Sequence, residues 1–197
     1  VIRSLDPARF PQETIALADL ATRPPQRRWT DYVVAAARLR PPSRGTELLI
    51  GGDVPIDAGL SSSSALLNAT LLALAEPGDR RALAEEARLA ERYVGTNAGG
   101  MDQAISLLGE PDCALRIDFF PLRTKRVPLP RALAVVVCDS GVAAPKGGAA
   151  QAAYNESPTT YGAESARAIA AAERLASARR KSDEATADVP VVVVSAD

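Results

Sequence analysis

The feature that most limits what this chain can fold into is a glycine–serine loop that runs without a spacer into an apolar helix. It reads Pro55-Ile-Asp-Ala-Gly59-Leu60-Ser61-Ser62-Ser63-Ser64-Ala65, and Leu66, Leu67, Leu71, Leu72 and Leu74 follow with alanines between them. The residues after Ser64 are strong helix formers and mostly apolar, so a buried helix is predicted over 62–75. Gly59 lets the backbone approach a bulky anion or adopt a positive φ. The serines can cap the helix and offer hydroxyls to phosphate or metal. The first turn of such a helix carries free N–H groups and the positive end of the macrodipole, which favour a phosphate. A Ser-rich linker or a plain helix cap is the alternative, although a linker has no reason to lead straight into a buried helix.

A second stretch adds a placed carboxylate. In Glu91-Arg-Tyr-Val-Gly95-Thr-Asn-Ala-Gly99-Gly100-Met101-Asp102-Gln103, the acid stands at the start of a predicted helix, 102–108, just after a glycine pair. A phosphate cradle plus one placed carboxylate is the minimum equipment for phosphoryl transfer to a hydroxyl. By itself, Asp102 could equally be a helix N-cap.

Composition narrows the class. The chain has 197 residues, 47% hydrophobic and 24% charged, enough for one sizeable core and part of a second domain. A net charge of -1 with no basic block argues against nucleic acid as a partner. No apolar run reaches the roughly 18 residues of a membrane helix, and the first residues do not read as a signal peptide. There is no histidine, which excludes His-based triads, His-ligated zinc and histidine general bases within these residues. The two cysteines, Cys113 and Cys138, make no disulfide framework; both lie in apolar runs and are expected to be core thiols, which suits the cytoplasm.

Along the chain, residues 1–28 carry four prolines and are predicted to be loop, with a short strand near 13–17. Trp29, Tyr32, Val33 and Ala36 fall at helical spacing, so 29–39 is predicted helical, ended by Pro41 and Pro42. Residues 46–54 form an apolar strand leading into the loop. Helices at 62–75, 80–93 and 102–108 come next, then strands at 114–119, 123–128 and 133–139, a loop at 141–149, an Ala-rich helix at 163–178 and a strand at 189–194. The order is mixed and does not alternate strictly, which predicts α+β layering over a doubly wound sheet. No GxxxxGK[ST] is present, so this is not a P-loop protein.

Taken together, these motifs resemble those of the GHMP kinases. Pro55-x-x-x-Gly59-Leu60-Ser61-Ser62-Ser63-Ser64-Ala65 is similar to that family's second signature motif. Gly-Gly-Met101-Asp102-Gln103 resembles the galactokinase and N-acetylgalactosamine kinase branch. Trp29-x-x-Tyr32, Asp112-x-Ala114-Leu115-x-Ile117-Asp118-Phe119-x-Pro121-Leu122, the run 133–139 and Tyr154-Asn155 add matches, and the similarity covers about 29–156.

The resemblance implies an α+β domain of the GHMP-kinase N-terminal type (ribosomal protein S5 domain 2-like) over residues 1–150. It also implies the start of a C-terminal domain over 151–197. The implied reaction is ATP- and Mg²⁺-dependent phosphorylation of the anomeric hydroxyl of galactose or N-acetylgalactosamine. By that resemblance Asp102 is the general base, and Gly99, Asp102 and Tyr154 face the sugar. Gly59, Leu60, Ser61, Ser62, Ser63, Ser64 and Lys146 hold the nucleotide, and Ser63 and Glu91 ligate the metal. Without it, Glu91 reads as a solvated helix residue beside Arg92, Lys146 as a surface lysine, Gly99 as a turn glycine and Tyr154 as an ordinary tyrosine.

The chain also departs from the family pattern. The first motif, Arg-x-x-x-Leu-x-Gly-Glu-His-Thr-Asp, and the glycine-rich third motif are not found here. Position 157 is serine where an arginine is implied, and 158–161 looks inserted, which makes Tyr161 a rival to Tyr154. The chain is therefore expected to be part of a larger kinase and inactive by itself. A non-catalytic sugar and ATP sensor acting through a protein partner is the alternative function. An isoprenoid kinase of the mevalonate type is a third, opposed by Met101-Asp102-Gln103.

Overall fold

The computed structural model describes residues 1–74, 76, 78–97, 99–119, 121–130, 136–138, 141 and 155. The named helices and strands all fall between Val1 and Pro128, residues that belong to one compact unit.

Strand β1 (Ile2–Ser4) pairs in parallel with β2 (Leu48–Ile50), in the register Ile2↔Leu48, Arg3↔Leu49 and Ser4↔Ile50. The predicted strand near 13–17 is reduced to a single bridge. Glu13 exchanges both backbone hydrogen bonds with Ile2, at 2.8 and 3.0 Å, and Leu17–Asp19 then form a 3-10 turn. Pairing stops there because Ile15 packs on the buried Leu20, Val34 and Ala37. The strand predicted over 46–54 shrinks to β2 because β1 offers only three residues to pair with.

Helix α1 (Thr30–Leu39) starts one residue later than its periodicity suggested. Asp31 is buried beneath the preceding loop and accepts from the backbone N–H groups of Gln26 (2.8 Å) and Arg28 (3.0 Å). Its buried face is Val33, Val34, Ala35 and Ala36, small enough for α2 (Ser62–Leu74) to pack closely. Helix α3 (Arg80–Ala90) is capped by Asp79, whose side chain accepts from the Arg81 N–H at 2.8 Å. A 3-10 turn, Glu91–Val94, continues it to Gly95, whose φ of 85° ends the run. Helix α4 (Met101–Leu108) begins after Gly100, at φ 93°.

The core lies between these helices. Leu67 and Leu71 of α2, Leu83 and Ala87 of α3, and Ala104 and Leu107 of α4 pack together with Ala36 and Leu122. Helix α2 is buried on one side only; Leu72 on its other side is 46% exposed. Strands β3 (Cys113–Asp118) and β4 (Arg123–Pro128) form an antiparallel ribbon from Cys113↔Pro128 to Asp118↔Arg123. Along β3, burial alternates residue by residue, as a strand covered on one face requires. Helices packed beside two small sheets fit the α+β expectation.

The cysteines correct an expectation. Cys113 is only half-buried, and Cys138 is exposed. A two-stranded ribbon covers one face, and Val136–Cys138, all that is described of the strand predicted at 133–139, is not in a strand. The helix predicted at 163–178, the strand at 189–194 and nearly all of the loop at 141–149 lie outside the described residues. None of the described helices is long and apolar enough to cross a membrane.

Glu13 ties the N-terminal loop to α1. Its carboxylate accepts from Arg23 and the Thr30 hydroxyl and pairs with Arg28 at 3.2 Å. Burial pushes its pKa up. The Thr30 hydrogen bond and the Arg23 and Arg28 charges outweigh that and leave it below the usual 4.5. A lowered carboxyl pKa contributes stability that is present above about pH 4.5 and is lost as pH falls through the lowered value. Glu13→Gln is therefore expected to cost about 1–2 kcal/mol at pH 7. Urea unfolding should show that difference narrowing below pH 4.5, and a constant difference down to pH 3 would count against the ion-pair account.

Candidate functional site

The loop after β2 bends through three left-handed residues, Asp57 (φ 60°), Gly59 (φ 70°) and Ser61 (φ 55°). Glycine adopts this conformation freely, but Asp57 and Ser61 hold it against steric preference. Helix α2 starts at once: the Ser61 carbonyl accepts the first helical hydrogen bond, from the Ala65 N–H at 3.0 Å. The predicted direct entry from loop to helix is thus present, with Ser62 and Ser63 in the first turn.

Helix α4 arrives at the same place from 41 residues further along. Gly100 makes the left-handed turn, its carbonyl accepts from the Ala104 N–H at 3.0 Å, and Asp102 falls in the first turn, half-buried. An added Cβ at Gly100 would lie 2.6 Å from the Arg88 side chain, so backbone angle and space both demand glycine. The Ser61 hydroxyl donates to Asp102 Oδ2 at 2.6 Å.

Between the two helix starts is an open cavity of roughly 360 Å³. The loop contributes Gly59, Leu60 and Ser61; α2 contributes Ser64 and Ala65; α4 contributes Asp102, Ile105 and Ser106. Two helix N-termini suit an anion. Among the described residues, the lining contains a carboxylate and no lysine or arginine, so a cation brought with a polyphosphate would balance the charge there.

A buried relay backs the cavity. The Gln103 amide Nε2 donates to Ser64 Oγ at 3.0 Å, and Ser64 Oγ donates to Glu91 Oε1 at 2.7 Å. Since the Ser64 hydroxyl spends its one proton on Glu91, the direction of the chain is set. Asn68 Nδ2 donates to the Gln103 carbonyl at 3.3 Å. Asn68 Oδ1 and Gln103 Oε1 are buried with no hydrogen-bond partner among the described residues. From α1, the Tyr32 phenol lies close to the same acid. Its pKa is pushed above 10.0, first by burial and then by the charge of Glu91, while a hydrogen bond with Ser63 acts the other way.

The structure brings Gly59, Leu60, Ser61, Ser64 and Asp102 to one cavity, with Ser62 and Ser63 beside it on α2. Gly99 is exposed and has open space around it. Glu91 is buried, 4% exposed, which removes the reading as a solvated helix residue. It accepts the hydrogen bond of the Ser64 hydroxyl at 2.7 Å. Lys146, Tyr154 and Tyr161 lie outside the described residues. No group of three or more His, Cys, Asp or Glu residues stands ready for a metal among the described residues. Mg²⁺ sites in phosphoryl transfer need fewer, one or two carboxylates plus phosphate oxygens. The donor chemistry of Glu91 and Ser63 fits such a cation. Sequence reading missed Tyr32, Gln103 and Ser106 as neighbours of the site. The helical spacing of Tyr32 and the position of Gln103 one residue after Asp102 were the available signals.

With that geometry in hand, comparison with known proteins is specific. Residues 31–110 match the GHMP kinases N terminal domain, a stretch that includes all of α1 but its first residue, the serine loop, Glu91 and Asp102. A protein named galactokinase from Dictyostelium discoideum is 40% identical over 124 residues, covering 57% of this chain and 25% of that protein. The galactokinase of Chloroflexus aggregans is 40% identical over 133 residues, covering 63% of this chain and 34% of the relative. That of Chloroflexus aurantiacus is 40% identical over 129 residues, with 61% and 33% covered. The matched part of the chain thus spans a quarter to a third of the length of these relatives.

Proposed function

We propose that the protein carrying this chain, whose residues 31–110 match the GHMP kinases N terminal domain, is an ATP-dependent kinase acting on the anomeric hydroxyl of galactose. The observation that carries the reading is the position of Asp102, in the first turn of one helix and facing across a cavity to the serine-lined start of another. Identity of 40% to proteins named galactokinase supports the choice of sugar.

In this reaction the sugar O1 attacks the γ-phosphorus and forms the new O–P bond. The bond from the γ-phosphorus to the β,γ-bridging oxygen breaks, ADP leaves, and the proton of the hydroxyl passes to Asp102. The carboxylate needs only to be ionised and aimed; it stays in place for every turnover. The free N–H groups at the start of α2, with Ser62, would hold the phosphates. Glu91 and Ser63 would hold Mg²⁺, which supplies charge neutralisation of the phosphates when bound. Gly99, which has open space around it, is proposed to let the sugar approach Asp102. Lys146 is proposed for the nucleotide and Tyr154 for the sugar.

The test is an assay of the whole protein with Mg²⁺ and ATP against galactose, N-acetylgalactosamine and mevalonate. Galactose 1-phosphate is expected as the main product. N-acetylgalactosamine 1-phosphate in its place would change the sugar and keep the reaction class. ATP and sugar binding with no phosphoryl transfer to any of the three would overturn the enzymatic reading.

A further inference from the structure

Ser61 does not behave as its serine neighbours do. It is the only serine of the four at positive φ (55°), and its hydroxyl points away from its own helix, 41 residues along the chain, to Asp102. A glycine could make that turn without strain. A serine held there places a hydroxyl where a backbone at negative φ would not, and residues in such conformations concentrate at functional sites.

From this we infer that Ser61 is a positioning residue for the Asp102 carboxylate and not a ligand of the nucleotide phosphates. The inference rests on the sugar-kinase reading of the site and adds a role within it. A hydroxyl has one proton. In this structure it goes to Asp102 Oδ2 at 2.6 Å, the short distance of a charge-assisted hydrogen bond. Among the described residues, Ser61 is the one hydrogen-bond donor to that side chain. One carboxylate oxygen is therefore held, the rotamer of Asp102 is set, and Oδ1 remains to accept the proton of an incoming hydroxyl. Ser64 makes the parallel arrangement one turn later, giving its proton to Glu91. The serine run thus divides. Its two outer members orient the two acids, Ser62 is left for the phosphates, and Ser63, which shares a hydrogen bond with Tyr32, keeps an oxygen lone pair for the metal.

The experiment uses the whole protein with Ser61→Ala and Ser61→Gly, and Asp102→Asn alongside. Turnover is measured with galactose, binding of Mg²⁺-ATP by calorimetry, and stability by thermal melting. Ser61→Ala is expected to lower kcat roughly 10- to 100-fold, the scale of a lost hydrogen bond to a charged group, with Mg²⁺-ATP affinity within about twofold of wild type. Ser61→Gly removes the hydroxyl and relieves the backbone, so an equal fall in kcat assigns the effect to the hydroxyl. The inference is overturned if Ser61→Ala weakens Mg²⁺-ATP while kcat holds, because Ser61 would then serve the phosphates. It is also overturned if Ser61→Gly keeps wild-type turnover, because then only the bend of the loop matters. The underlying site reading fails separately: Asp102→Asn with near wild-type turnover removes the base, whereas an inactive Asp102→Asn beside a fully active Ser61→Ala removes only the role of Ser61.

Discussion

Asp102→Asn is expected to abolish phosphoryl transfer in the whole protein while Mg²⁺-ATP affinity stays within a few fold of wild type. The amide has nearly the shape of the carboxylate, and its oxygen can still accept from the Ser61 hydroxyl now bonded to Oδ2. What it loses is the ability to take a proton. Removal of a general base costs roughly 10²–10⁴ in rate, and the loss should fall on kcat. Steady-state kinetics with galactose, together with calorimetric ATP binding, measure both parts. Turnover close to wild type would take Asp102 out of the base role and leave it as a residue of the first turn of α4. A collapse of ATP affinity along with the rate would instead assign it to the nucleotide.

Glu91 should give the second large effect, in two separable parts. The buried carboxylate receives the Ser64 hydroxyl at 2.7 Å, and Ser64 in turn receives the Gln103 amide at 3.0 Å. Glu91→Ala leaves that buried hydroxyl without its acceptor, which should cost about 1–3 kcal/mol of stability. Glu91→Gln keeps an oxygen for Ser64 and so should recover most of it. Neither variant restores the negative charge proposed to hold Mg²⁺. Both are therefore expected to need much higher Mg²⁺ for half-maximal activity, with a loss of rate on the order of 10²-fold at millimolar Mg²⁺. Urea unfolding and a Mg²⁺ titration separate the two. If Glu91→Gln were as active as wild type across the titration, Glu91 would be a structural acid holding α2 against the turn after α3, and the metal ligand would have to be sought elsewhere.

Much of the helical frame is written in local chemistry. Pro41 and Pro42 stop α1 after Leu39, Asp79 caps α3, and Gly100 opens α4. The helices predicted at 29–39 and 102–108 each differ from the observed ones by one residue at an end, and the one predicted at 62–75 agrees with α2 over the described residues. The helix predicted at 80–93 is α3 plus its 3-10 extension. The strands predicted at 114–119 and 123–128 are β3 and β4 to within a residue. The parallel pair β1–β2 was not legible in the same way. Ile2–Ser4 is a strand only because Leu48–Ile50 reaches it from the far side of α1, and pairing across 46 residues leaves no mark in either segment alone.

The same division runs through the site. By itself, the sequence determined which residue types could do the chemistry: a serine loop entering a helix, one acid after a glycine pair, another acid before it, and no histidine to compete for the role of base. Those properties follow from backbone freedom, helix propensity and side-chain acidity, which each residue carries wherever it sits. Only the tertiary structure decided how the serines are shared. Ser61 turns to Asp102 and Ser64 to Glu91 because α2, α4 and the turn after α3 pack around Leu67, Leu71, Ala87 and Leu107. That packing brings hydroxyls within hydrogen-bond distance of acids 41 and 27 residues away, and it places Tyr32 of α1 beside Glu91. A hydroxyl has one proton to give, so its partner is settled by distance in three dimensions, which a sequence of four identical serines cannot express.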